Sequence, residues 1–115
     1  MSKRIVQFHR KALEDIEEIA YFIAEDSPQA AQAFREMLEQ TCALIAEMPD
    51  IGIARNFENP LLRDIRLWPL KRFEKYLLFY RAQGDTLNIL RVVHGSRDLP
   101  ALFGVAGDDL QSALL

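Results

Sequence analysis

The chain has 115 residues, 50% hydrophobic and 27% charged, with a formal net charge of −3. That length fits a single domain, and a chain of this size buries roughly two-thirds of its unfolded surface, enough for a core without disulfides or metal. A pI near 5.4 argues against non-specific nucleic-acid binding, which depends on counterion release; no apolar run reaches the roughly 18 residues of a membrane span or forms a secretory leader, so a cytoplasmic protein without a membrane partner is expected.

Residues 4–8, RIVQF, are a short β candidate rich in branched and aromatic side chains. The period then changes. Leu13, Ile16, Ile19, Ala20 and Ile23 recur at three- and four-residue steps, while Glu14, Asp15, Glu17, Glu18 and Glu25 fall largely on the other side. That spacing predicts a helix from about Arg10 to Glu25. Ser27 suits an N-cap and Pro28 the first helical position, so a second helix starts almost at once. Its stripe is Ala30, Phe34, Met37, Leu38, Thr41, Leu44, Ile45 and Met48, and Pro49 forces its end. Two amphipathic helices with so short a joint form an antiparallel hairpin. Cys42, the only cysteine, lies in the second helix; it reads as a small buried thiol in a reduced setting.

Residues 49–62 lack a period and carry Pro49, Gly52, Asn56, Asn59 and Pro60, which predicts a loop. RDIRLW (63–68) alternates modestly, PLKRFE (69–74) reads as a connection, and KYLLFYR (75–81) is a strand apolar on both faces. Residues 83–85, QGD, are a turn with Gly84 free to take positive φ, and TLNILRVVH (86–94) is the next strand. Both strands read as central and covered on two sides. Asp98 can cap a short helix through about Phe103, leaving residues 104–115 as a tail. The order predicts an α+β domain: an N-terminal strand, an antiparallel helical hairpin on a small, mainly antiparallel sheet, and a short C-terminal helix.

Charge is segregated along the chain. Residues 1–62 hold 6 basic and 11 acidic side chains, whereas residues 63–97 hold 8 basic and 3 acidic. The second segment can therefore present a local positive face. Its end, HGSRD (94–98), holds His94, Ser96 and Asp98, but residues two apart in extended chain lie about 6–7 Å apart, too far for a Ser-His-Asp triad. With only His9 and His94, one cysteine and no bracketing carboxylate pair, no metal or cofactor site is expected. Arg81 and Arg91 can be structural, their heads paired with an acid such as Glu17 or Asp98. Asp98 reads as a helix cap, Gly95 as a tight turn, and Trp68 beside Pro69 as packing.

The stretch ALEDIEEIAYFIAEDSPQAAQAF (12–34), the loop opening MPDIGIAR (48–55), and YLLFYR–turn–ILRVVHGSRD (76–98) resemble the RelE/ParE superfamily of toxins from type II toxin–antitoxin modules, most closely its ParE branch. The likeness makes residues 1–103 the toxin domain. It implies a toxin that causes growth arrest and forms a hetero-oligomer with a cognate antitoxin that silences it. In the ParE branch it implies inhibition of DNA gyrase by binding, without catalytic residues and without sequence-specific nucleic-acid contacts. Lys71, Arg72, Lys75, His94 and Arg97 are then the candidates for binding target or antitoxin. The alternative within the superfamily is a ribosome-dependent mRNA endonuclease, which needs a base, an acid and cations around the scissile phosphate. Arg81, His94 and Arg97 are its candidates here. The lack of a tyrosine near the end of the last strand and the acidic net charge both count against it. A third possibility is an inactive member that only binds its antitoxin.

Overall fold

β1 (Ile5–Phe8) leads through His9 directly into α1 (Arg10–Asp26), and α2 (Pro28–Glu47) follows after Ser27 alone. The computed structural model describes residues 4–54 and 64–96. After a single 3-10 turn (Pro49–Ile51) come β2 (Ile53–Ala54), β3 (Arg66–Leu70), β4 (Phe73–Gln83) and β5 (Thr86–His94). The strands form one sheet in the order β1-β5-β4-β3-β2. Among the described strands β1–β5 pair in parallel and the other pairs are antiparallel.

Local chemistry explains the boundaries. The Ser27 hydroxyl accepts from the Ala30 amide at 3.1 Å, and Pro28 opens α2, as the sequence predicts. His9 is the N-cap of α1: its Nδ1 accepts from the Lys11 amide at 3.1 Å. The middle of each stripe buries against one face of the sheet, with Ile16 and Ala20 of α1 and Phe34, Met37, Leu38, Thr41 and Ile45 of α2, whereas Leu13, Leu44 and Met48 of the expected stripes stay exposed. Phe34 is the hub, fully buried and edge-on to Phe73 and Tyr76 at 5.7 and 5.9 Å. Ala12, Ile16, Leu38 and Ile45 join Leu78, Tyr80, Leu87 and Val92 in the same cluster, with Trp68 packed against it. Burial of this apolar surface is the main stabilising term. Leu78 and Phe79, neighbours that point to opposite faces, are both fully buried, so β4 is covered on two sides.

Two readings of the sequence change. The segment 69–74 is not a plain connection. Leu70 pairs with Phe73 across a two-residue turn, Lys71–Arg72, because both apolar residues are drawn into the core. Pro69 is tolerated in β3 beside a register irregularity. The loop 49–62 begins with ordered structure. The Tyr80 hydroxyl accepts from the Gly52 amide at 2.8 Å and donates to the Pro49 carbonyl at 2.6 Å. Arg66 Nη1 also donates to the Gly52 carbonyl at 2.8 Å. A Cβ on Gly52 would overlap the Tyr80 ring and hydroxyl, so glycine is required there. The short helix expected from Asp98 to Phe103 and the tail 104–115 lie outside the described residues.

Candidate functional site

The described basic residues of the second half divide into two groups. Arg91 belongs to the fold. Its Nε and Nη2 donate to the two carboxylate oxygens of Asp15 at 2.8 and 3.0 Å, and both side chains are about one-tenth exposed. The same carboxylate accepts the Val92 amide at 3.0 Å. The reason lies in the topology. Pairing of β1 with β5 ends at Phe8 and Ile89, and the His9 amide makes the last backbone bond to Ile89. Past that point β5 has a bare edge, and Asp15 of α1 supplies the missing acceptor. A β-bulge against β4 passes over Leu90, and Arg91 beyond it reaches α1.

The sequence suggested Glu17 or Asp98 as the acid. Glu17 is taken by Arg35 of α2, which donates to both its oxygens at 3.2 and 2.9 Å and holds its carboxyl below the usual range. Asp98 lies outside the described residues. Asp15 had been placed with the solvated acids, yet it stands three residues after Ala12 and four before Ile19. That is a position on the apolar face, and it was the available signal.

Arg81 is also structural. Only 11% of its side chain is exposed, and its Nη2 donates to Asp64 at 3.3 Å. The ribonuclease candidates do not converge. Arg81 lies opposite Asn88 and His94 opposite Tyr76, which separates them by about 17 Å along the strands. His94 packs edge-on against Tyr76 at 5.4 Å. Its Nδ1 accepts from the Ser96 amide at 3.1 Å, with Ser96 Oγ at 2.6 Å from the same nitrogen. Both contacts are local, from a residue two positions on in the chain. Arg97 lies outside the described residues.

Lys71, Arg72 and Lys75 form the second group. All three are exposed and have no ion pair among the described residues. Lys71 and Arg72 make the tip of the β3–β4 hairpin, fastened to α2 by the Lys71 amide on Thr41 Oγ1 at 3.4 Å. Arg72 is the one non-glycine residue with positive φ among the described residues, at 67°. Lys75 sits at the same end of the sheet, where its carbonyl accepts the Gly95 amide at 2.7 Å. His94 borders a cleft lined by Asp15 and Glu18.

Other chemistry is limited. Cys42 is buried, and burial pushes its thiol up to about 12, far from a reactive thiolate. Among the described residues no cluster of three or more metal-ligating side chains exists, and no helix is long and apolar enough to cross a membrane.

The family model described as "ParE toxin of type II toxin-antitoxin system, parDE" matches residues 6–99. Among solved structures, one titled "Chromosomal ParDE TA system from P. aeruginosa" is similar in fold, with a TM-score of 0.62 and 20% identity over 80% of this chain and 96% of that one. No curated protein matches. The chain belongs to the ParE toxin family of type II toxin–antitoxin systems.

Proposed function

We propose that this toxin arrests growth by binding DNA gyrase in the cytoplasm, without covalent chemistry, and that a cognate antitoxin silences it. The division among the cations carries this reading. Arg81 and His94, which a ribonuclease would need, are committed to Asp64 and Ser96 and stand far apart. Lys71, Arg72 and Lys75 remain as exposed positive charge. Such charge steers and orients a protein partner, whereas cleavage demands convergent groups.

The antitoxin contributes a helix or extended segment to the apolar groove beside the hairpin. A groove of about 440 Å³ between β1 and the helices is lined by Val6, Phe8, Leu13, Ile16, Leu38 and Cys42. The test is a supercoiling assay on toxin freed of antitoxin, run beside a translating extract. Inhibited supercoiling with intact message is the expected result. Cleaved message with normal supercoiling would overturn the reading in favour of an endonuclease, and no growth arrest on expression without antitoxin in favour of an inactive member.

A further inference from the structure

α2 carries a polar side chain in the middle of its buried stripe. Thr41 is 3% exposed and shares that stripe with Met37, Leu38 and Ile45. A buried hydroxyl costs stability unless it is bonded. Its proton goes back along the helix, to the Met37 carbonyl at 2.7 Å. That bond satisfies the hydroxyl and links α2 only to itself. The same oxygen also accepts from the Lys71 amide at 3.4 Å, and this contact reaches another element, 30 positions along the chain.

The turn that Thr41 touches has a shape its own residues do not favour. Lys71 and Arg72 lie between the paired residues Leu70 and Phe73. Of the two, Arg72 alone has positive φ, at 67°. Positive φ at the second residue only is the pattern of a type II turn. Two-residue hairpins favour turns with positive φ at the first, whose hand matches the twist of the strands. An arginine also carries the Cβ that makes left-handed backbone costly. A contact from outside the turn therefore selects this conformation. Phe34 and Thr41 stand about two turns apart on one face of α2 and hold the hairpin at two points. The Phe34 ring meets Phe73 edge-on at 5.7 Å, which fixes the course of β4. The Thr41 hydroxyl bonds to the backbone of the turn itself. Lys75 is held separately, by the Gly95 amide on its carbonyl at 2.7 Å.

We propose that Thr41 is a positioning residue for the target-binding cations: from inside the core it sets the directions of Lys71 and Arg72. It touches no target itself. Its hydroxyl keeps the turn in the form with left-handed Arg72, and that form aims the two side chains. Without the hydroxyl the turn relaxes towards the favoured hairpin types, Lys71 and Arg72 point elsewhere, and Lys75 stays in place. The inference rests on the gyrase reading given above.

The test measures inhibition of gyrase supercoiling by the full-length toxin, freed of antitoxin, for wild type, Thr41→Val, Thr41→Ala and Thr41→Ser, well below the Tm of each. Valine keeps the volume and removes the hydroxyl, alanine removes both, and serine keeps the hydroxyl. Thr41→Val and Thr41→Ala are expected to need about fivefold more protein than wild type, with Thr41→Ser close to it. Thr41→Val is then repeated in a Lys71→Ala/Arg72→Ala background. No further loss is expected there, because the side chains that Thr41 aims are gone, whereas a role in folding alone costs potency in both backgrounds. Equal inhibition by wild type and the valine and alanine variants would overturn the positioning role and leave the gyrase reading standing. So would the same loss in both backgrounds, a loss in Thr41→Ser as large as in Thr41→Val, or failure of both the valine and alanine variants to fold. No inhibition by wild type would overturn the gyrase reading itself.

Discussion

At the seam between α1 and β5, Arg91 is buried and bonded through two nitrogens to Asp15. At the tip of the β3–β4 hairpin, Arg72 is exposed, holds left-handed backbone and has no ion pair among the described residues. The same residue type serves opposite ends. Arg91's charge is spent inside the protein, joining a helix to a strand edge that β1 does not reach. Arg72's charge lies at the surface. The difference shows why a count along the sequence overstates the usable positive surface. Of the six described cations between residues 64 and 96, Arg66, Arg81 and Arg91 are drawn into contacts with Asp50, Asp64 and Asp15. Lys71, Arg72 and Lys75 are left.

The seam offers the hardest test of this contrast. Asp15→Ala strands a buried guanidinium and a buried amide, and should lower unfolding free energy by about 3–5 kcal/mol. Denaturant titration measures it, and a loss below about 1 kcal/mol would show that the pair is dispensable. Next comes Tyr80→Phe, which leaves the Gly52 amide and the Pro49 carbonyl without partners. A loss of about 1–3 kcal/mol is expected in the same titration; no change would mean that water replaces the hydroxyl.

The interior also sets an alkaline limit. Burial raises the Cys42 thiol from 9.0 to about 12. A group whose folded pKa is raised lends stability in full below its unfolded value and loses it as pH climbs towards the folded one. Between pH 9 and 12 the thiol should therefore remove about 1.4 kcal/mol per pH unit. Cys42→Ala should flatten that part of the stability curve relative to wild type; parallel curves would contradict the assignment.

At the tip the expected sign is reversed. Arg72→Gly relieves left-handed backbone at φ 67° and should stabilise the fold by about 1 kcal/mol. The same change should weaken gyrase inhibition, so Tm rises while potency falls. A fall in both would mean that the side chain packs on the fold.

Much of this fold was legible in the sequence, because its signals are local. The 3.6-residue stripes, Ser27 with Pro28, and Gly84 at the last turn each act within a few residues; the cap and the turn lie where the pattern placed them, and the stripes do so but for the exposed Leu13, Leu44 and Met48. What escaped depends on partners far along the chain. Asp15 meets Arg91 across 76 positions and Tyr80 meets Gly52 across 28. Neither pairing leaves a periodic trace. The tip turn was missed for a related reason: Phe73 packs on Phe34 of α2, far back in the chain, and Leu70 lies in the same core. For the site, the sequence supplied the cations and marked Arg81 and Arg91 as structural, but not the acids, Asp64 and Asp15, that hold them.

The central claim is that the free cations at the hairpin end act on the target while the buried ones only hold the fold. The most direct measurement is inhibition of gyrase supercoiling by wild type and by a Lys71→Glu/Lys75→Glu double variant, each freed of antitoxin. Wild type should inhibit, and the double variant should need about tenfold more protein or worse at an unchanged Tm. Equal inhibition by two equally stable proteins would contradict the account.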